Sequence, residues 1–435
     1  MADRISRRHF LKTSVVSGAA MASISGARAF GGGDSIRPNI ILIMADDLGY
    51  ECLSCYGCAE YDTPNLDRLA ATGLQFQNCH SQPLCTPSRV KIMTGQYNCR
   101  NYERFGALNP EETTFGHVMQ NAGYATCIVG KWQLAARSGG RGTYPQKAGF
   151  DDYCLWQIDD RKSRYADPLI QMKGEDQARF HKGEYGPDIF CDYMNDFMES
   201  HRDRPFFVYF PMCLVHSPFV PTPDSPEWKG NRNKRAKKFF KDMVEYMDTL
   251  VGRIVRKLDE LGLRDETLLM FTGDNGTHRS IETEMQDGSV VKGGKRLTID
   301  TGTHVPFVAN WPGVTPQGRL LEDLIDFSDF LPTIAEAGGA RLPADEQFDG
   351  VSFLPQLKGR EGSPRDHIYC YYKLKGQGGD YKEWARDERW KLYSTGELYD
   401  VQADLLEKHP IPKGQGGKAA ARARKKLRAA LNSAR

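Results

Sequence analysis

The sequence predicts an α/β protein: a large mixed, mostly parallel sheet flanked by helices, with a smaller C-terminal antiparallel α+β subdomain. Three observations carry that expectation. Nearly continuous apolar runs alternate with amphipathic helical stretches up to about residue 348, the pattern of strands covered on both faces by crossover helices. Two of those runs end in carboxylates, at Asp46-Asp47 and at Asp274-Asn275, on the strand edge where open α/β sheets bind ligands. Beyond Asp349 the runs shorten and turn aromatic: Ile368–Tyr372, Arg389–Tyr393 and Glu397–Tyr399 read as antiparallel strands packed with a terminal helix.

The 435 residues are 40% hydrophobic, enough to bury the core of one large or two unequal domains. Basic and acidic residues nearly balance, 58 against 56, so net charge makes no case for a nucleic-acid partner or a membrane surface.

Residues 1–29 read as an export signal. Ser6-Arg7-Arg8-His9-Phe10-Leu11-Lys12 is a twin-arginine stretch, followed by a mildly apolar run from Thr13 to Ser25 and a small-residue cleavage site at Ala27-Arg28-Ala29. The run is too short and too rich in Gly, Ser and Ala to cross a bilayer, so no stable membrane anchor is expected. A twin-arginine signal is a receptor-read address. It predicts a periplasmic or secreted protein, starting near Phe30 and exported folded by the Tat translocase.

Eleven cysteines leave at least one unpaired or used chemically in an exported protein. Cys52, Cys55 and Cys58 are spaced like metal ligands but lack a nearby fourth donor for zinc or an iron–sulfur cluster. Folding in the reducing cytosol also opposes a dense disulfide framework. These three read as small packing residues with room for late disulfides.

Asn39–Ala45 reads as a buried strand, and Asp46-Asp47 after it as either a polar turn or a cation site. Thr63 caps a helix that starts with Pro64 and closes at Gly73. An extended stretch, Phe76–Cys79, leads to Cys85-Thr86-Pro87-Ser88-Arg89. Pro87 fixes its own φ and biases Thr86 towards extended geometry, and Ser88–Met93 continue as helix. Cys85 then sits at or near a helix N-terminus that favours an anion, with Arg89 one turn further on. That describes either an activated nucleophile or a buried cysteine in an ordinary turn.

Thr114–Asn121 reads as a second helix and Ala125–Gly130 as a strand ending at Lys131-Trp132-Gln133. Periodicity is poor from Arg137 to about Asp188, which predicts substrate-side loops rather than core. Phe206–Phe210 is a strand running towards His216-Ser217-Pro218. The basic cluster Arg232–Lys241 reads as the solvated start of a helix whose apolar stripe is Met243, Met247, Leu250, Val251, Ile254, Leu258 and Leu261. Leu268–Thr272 delivers Asp274-Asn275, Thr303–Ala309 is a further strand, and a helix starts at Ser328. The expected divisions are a catalytic α/β domain over 30–348, a C-terminal subdomain over 349–412, and a basic tail over 413–435. The tail carries eight basic residues and no acidic ones, which reads as a solvated or frayed end.

Four Asp and Asn oxygens suit a hard cation, Ca²⁺ or Mg²⁺, rather than a soft-metal site. Arg89, Lys131, His216 and Lys295 are candidates to surround them, and positive groups around one nucleophile describe a site for a tetrahedral oxyanion.

These motifs, in this order, resemble the type I sulfatases of the alkaline phosphatase superfamily. The resemblance runs from about Pro38 to about Val401. It comprises Pro38-Asn39 with Asp46-Asp47-Leu48-Gly49, Thr63–Ala70, Cys85–Arg89 with Thr94-Gly95, Gly130-Lys131-Trp132, His216-Ser217-Pro218, Thr272–Gly276 and Asp349–Ser352. The resemblance implies that a maturation enzyme oxidises Cys85 to Cα-formylglycine, whose gem-diol is the nucleophile. It implies that Asp46, Asp47, Asp274, Asn275 and a formylglycine oxygen at position 85 hold the cation, usually Ca²⁺. By the same resemblance Arg89 steadies the formylglycine, Lys131 and Lys295 bind sulfate oxygens, and His216 assists the leaving alcohol. The modified residue has a chemical rationale: after one hydroxyl attacks sulfur, deprotonation of the other re-forms the aldehyde and expels sulfate.

Two departures stand out. The family commonly has Lys-Trp-His where this chain has Lys131-Trp132-Gln133, and glutamine orients a hydrogen bond but takes no proton. Around residues 300–304 the chain shows Asp300-Thr301-Gly302 and His304 where the family often has Glu-Gly-Gly before an arginine. The expected function is hydrolysis of a sulfate ester, on a sulfated carbohydrate. The alternatives are a formylglycine-dependent phosphonate or phosphate ester hydrolase, which shares the site, and a non-catalytic glycan-binding relative, motivated only by Gln133.

Overall fold

The computed structural model describes residues 37–136, 141–373 and 381–435; the twin-arginine stretch and its cleavage site lie outside them. A ten-stranded sheet organises the chain. From edge to edge its strands are Arg319–Asp326, Leu74–His80, His304–Asn310, Thr267–Gly273, Asn39–Ala45, Phe206–Pro211, Ala125–Lys131, Asp152–Trp156, Leu169–Met172 and Arg179–Phe180. The five strands from Thr267–Gly273 to Asp152–Trp156 run parallel to one another, and His304–Asn310 is antiparallel to both of its neighbours.

Asn39–Ala45 is central, and every residue from Ile40 to Ala45 is 0% exposed. Its period of two divides the side chains between two cores. Ile41 and Ile43 join the cluster that includes Met243, Met247, Leu250, Val251 and Ile254 of the helix Phe239–Glu260. Ile40, Leu42 and Met44 join the cluster under the helices Cys85–Thr94 and Phe330–Ala337. The methionines of the long helix are therefore core, as its spacing predicts. Among the described residues no helix is long and apolar enough to cross a membrane.

The stretch expected to be loops from Arg137 onwards is corrected in part; Arg137 itself lies outside the described residues. Asp152–Trp156, Leu169–Met172 and Arg179–Phe180 extend the sheet. Their weak periodicity reflects short strands near one edge. Trp156, Tyr165 and Ile170 are buried there.

Four antiparallel strands, Ile368–Lys373, Tyr381–Arg386, Trp390–Tyr393 and Leu398–Asp400, form the C-terminal sheet. The basic tail is not frayed: it is the helix Gly417–Ser433. Ala420, Ala423, Leu427, Ala430 and Leu431 bury against Tyr369, Ala385 and Leu392 of that sheet. Its cations occupy the outer face, so their number hid an alanine-and-leucine stripe at helical spacing. Leu427→Ala is expected to cost about 2–5 kcal/mol of stability, read as a lowered unfolding midpoint of the full chain; an unchanged midpoint would restore the frayed tail.

Residues 37–435 form one compact unit. The small sheet is tied to the large one by Lys91, whose Nζ donates to Asp326 and to the Tyr369 carbonyl, both at 2.7 Å, and by Arg386, which pairs with Asp300.

Candidate active site

The site lies at the C-terminal ends of the parallel strands, the edge where the fold leaves ligands room. Asn39–Ala45 and Thr267–Gly273 pair in register with Ala45 opposite Gly273, so Asp46-Asp47 and Asp274-Asn275 emerge side by side. Only glycine fits at 273: a Cβ there would lie 2.0 Å from the Leu48 carbonyl oxygen. Asp47 takes a left-handed turn (φ 64°), a conformation Asp tolerates better than most residues. Its N–H donates to Asp274 Oδ1 at 3.0 Å.

The parallel strand Ala125–Lys131, two positions along the sheet from Asn39–Ala45, delivers Lys131, whose Nζ donates to Asp46 Oδ2 at 2.8 Å. Phe206–Pro211 leads to His216 through a backbone clamp, in which Asp46 N–H donates to Leu214 O and Val215 N–H donates to Asp46 O. Lys295 Nζ donates to Asp47 Oδ2. Cys85 is the first residue of the helix Cys85–Thr94, as Pro87 predicts. One turn on, Arg89 donates to Asp274 Oδ2 at 3.3 Å and to the Lys131 carbonyl at 3.1 Å.

Charge in this cluster is balanced residue by residue, which burial demands. Burial pushes the Asp46 carboxyl up, but Lys131, His216 and Arg89 outweigh it and hold it well below the usual range. Asp47 is likewise lowered, with His216 and Lys295 overcoming burial. Asp274 goes the other way, pushed up to about 7 by burial and the adjacent Asp46 charge despite Arg89. Burial also lifts the Cys85 thiol, and Lys131 offsets this only in part. Unmodified Cys85 is therefore not an activated thiolate, even at its helix start.

Two oxygens in the cluster are conspicuous. Asp46 Oδ1 and Asn275 Oδ1 are fully buried and have no hydrogen-bond partner among the described residues. Asn275 spends its amide on Asp47 Oδ1 and on the Gly276 carbonyl, both at 2.9 Å. An all-oxygen donor set with unpartnered buried atoms is what a hard divalent cation satisfies.

Ligand atoms of Asp46, Asp47 and His216 also approach within 4.8 Å of one another. His216 is held on its Nδ1 side, which lies 2.8 Å from Arg164 Nη2 and 2.6 Å from the Ser217 carbonyl oxygen, while Nε2 faces Asp47 Oδ2 at 3.7 Å. Burial lowers the imidazole to about 4 despite the Asp47 and Asp46 charges.

Two clefts open onto this cluster. One, of about 260 Å³, is lined by Cys85, Gln133, His216 and Lys295 together with Arg279 and Arg296. The other, of about 620 Å³, runs past His216 along Trp156, Arg161, Lys162, Arg164 and Arg235. Gln133 sits in the first cleft at φ 61°, its Oε1 3.4 Å from the Thr86 hydroxyl. All ten side chains expected at the site, Asp46, Asp47, Cys85, Arg89, Lys131, Gln133, His216, Asp274, Asn275 and Lys295, thus converge. The described cysteines are all free thiols, and Cys52 Sγ lies 3.3 Å from the Thr277 hydroxyl.

Arg164 falls within the stretch from Arg137 to about Asp188 that the sequence assigns to substrate-side loops. It is buried, and it orients His216 from 52 positions away. Only its neighbours Trp156 and Tyr165, both in cation–π contact with it, hint at an interior arginine.

Comparison with known proteins agrees with this geometry. Residues 38–340 match the family model "Sulfatase", and residues 293–435 match "N-sulphoglucosamine sulphohydrolase, C-terminal". Human N-acetylgalactosamine-6-sulfatase is 30% identical over 82% of this chain and 74% of its own length. Human arylsulfatase D is 27% identical over 87% and 76%. Among solved structures, BT4656 in complex with its substrate D-glucosamine-2-N,6-O-disulfate superposes with a TM-score of 0.73 at 22% identity, covering 91% of this chain and 97% of that one. The phosphonate monoester hydrolase of Agrobacterium radiobacter gives a TM-score of 0.68 at 20% identity, covering 92% and 95%; both likenesses are of fold. The chain belongs to the formylglycine-dependent sulfatases of the alkaline phosphatase superfamily and is a sulfuric ester hydrolase.

Proposed function

We propose that the protein removes sulfate from a sulfated carbohydrate, using formylglycine formed at Cys85 and a divalent cation, Ca²⁺ or Mg²⁺. The observation that carries this reading is the pair of buried, unpartnered oxygens, Asp46 Oδ1 and Asn275 Oδ1, beside a cleft that Cys85 shares with Lys295 and His216. Asp46, Asp47, Asp274 and Asn275 would hold the ion, completed by an oxygen of residue 85. When bound, the ion supplies positive charge against the sulfate, and formylglycine supplies a hydroxyl nucleophile where cysteine has none.

The chain's own residues do the rest. Arg89 braces Asp274 one turn from position 85 and keeps the cluster from expanding. Lys131 and Lys295 hold Asp46 and Asp47, and they bind sulfate oxygens when a cation takes over those carboxylates. His216 turns Nε2 towards the site, where it assists the departing alcohol. Gln133 orients groups in the cleft but cannot accept the proton whose loss expels sulfate; another base or a bound water takes it.

The test is turnover by full-length protein whose Cys85 conversion has been verified by peptide mass. It is offered para-nitrophenyl sulfate, a sulfated amino sugar, a phosphate monoester and a phosphate diester. Sulfate release from the first two supports the proposal. Preference for the phosphate esters, or binding without turnover, would overturn it. Gln133→His is expected to raise the single-turnover rate of sulfate release at least about tenfold; an unchanged rate means that position 133 has no part in that proton transfer.

A further inference from the structure

The larger cleft is not needed for ester hydrolysis itself. It meets the smaller one at Arg161, His216 and Ser217, which line both, so a ligand held at Cys85 extends past His216 into it. At about 620 Å³ it is the size of an ordinary small-molecule site. Its walls carry Arg161, Lys162, Arg164 and Arg235, and among the described residues neither cleft is lined by an Asp or Glu. Nearly equal basic and acidic totals, 58 and 56, make that one-sided lining a local feature.

The pairing of these cations sharpens the point. Arg164 is committed to His216 and to the Ser217 carbonyl. Arg161, Lys162 and Arg235 are exposed, and among the described residues none has an ion-pair or side-chain hydrogen-bond partner. Two nearby cations outside the cleft, by contrast, have partners: Arg232 lies 3.8 Å from Asp167, and Lys238 pairs with Glu227. Cations without partners, converging on one concave surface, raise the local concentration of anions and leave their donors free for them.

We infer that the cleft beyond His216 is a second anion subsite, so that the substrate is a sugar carrying a further sulfate or carboxylate next to the ester being cut. This rests on the sulfatase reading of Cys85. Arg161 spans the junction, while Lys162 and Arg235 receive the second anion. Sulfate and carboxylate both fit bidentate guanidinium recognition.

The experiment compares kcat/KM for four probes with full-length, Cys85-converted enzyme: para-nitrophenyl sulfate, a monosulfated amino sugar, its disulfated counterpart, and a monosulfated disaccharide bearing a uronate. The expected result is that at least one doubly anionic probe is favoured over the monosulfated sugar by about tenfold or more. The disulfated and uronate arms separate the two chemistries. The double variant K162Q/R235Q is expected to lower that preference about tenfold, and para-nitrophenyl sulfate turnover reports that the variant is folded. Equal kcat/KM for singly and doubly charged sugars, or a preference that survives the double variant, overturns the subsite. Failure to turn over even para-nitrophenyl sulfate by wild-type enzyme of verified conversion overturns the sulfatase reading itself.

Discussion

Cys85→Ala is expected to abolish sulfate release, by about 10⁴-fold or more in kcat, while the protein still folds. The side chain is 2% exposed and packs beside Leu84 and Leu324, so losing one sulfur is a small cavity change, not a loss of core. Cys85→Ser separates the nucleophile from its chemistry. Serine keeps a hydroxyl at the helix start but has no second hydroxyl through which the group can be expelled, so at most one turnover is expected. Steady turnover by either variant would show that position 85 does not carry the reaction. Unmodified cysteine is expected to fail as well, because burial lifts its thiol rather than lowering it. The same peptide bears on export. The sulfatase family implies a maturation enzyme that acts on unfolded chain, and the twin-arginine stretch implies export of folded protein, so Cys85 is expected to be converted already in the cytosolic precursor. Mass spectrometry that finds it unmodified inside and converted outside would reverse that order.

Chelation of divalent ions is expected to cost about 10³-fold in activity and to lower the unfolding temperature, with Ca²⁺ restoring both. The physical reason is the crowding of Asp46, Asp47 and Asp274, all fully buried. Lys131, Lys295 and Arg89 each attend one carboxylate, yet burial and the Asp46 charge still drive Asp274 up to about 7, a strain that an added cation relieves. An ion bound only to folded protein adds about 2.7 kcal/mol of stability at a hundredfold excess over its Kd. Asn275→Ala removes the neutral donor with the unpartnered oxygen and leaves the charges intact, and it is expected to abolish most of the Ca²⁺-induced thermal shift. A full shift in that variant would exclude Asn275 from the ligand set.

Much of this was legible in the chain because the signals are local. A run such as Asn39–Ala45 has no polar residue inside it with which to face water, so it had to be a covered strand, and Pro87 had to start a helix close to Cys85. Carboxylates at the ends of two such strands marked the catalytic edge before their neighbours were known. The tail misled for an equally local reason: Lys and Arg dominate its composition, while the small alanines that bury against the second sheet carry little hydropathy each. The strands between Asp152 and Phe180 are too short for periodicity to register.

The sequence by itself determined the sheet, the helix that presents Cys85, and the residue types of an oxyanion site. Only the tertiary structure decided their pairing. Asp46 with Lys131, Asp47 with Lys295, and Asp274 with Arg89 are joined across 85, 248 and 185 positions, distances over which no pattern in the chain carries information. It also decided that Arg164 is the interior partner of His216 and that, among the described residues, the cations beyond it have no ion-pair partner on one concave wall. Both follow from how the strands stack side by side, because register along one strand fixes what emerges at its end, whereas contacts between ends belong to the sheet as a whole.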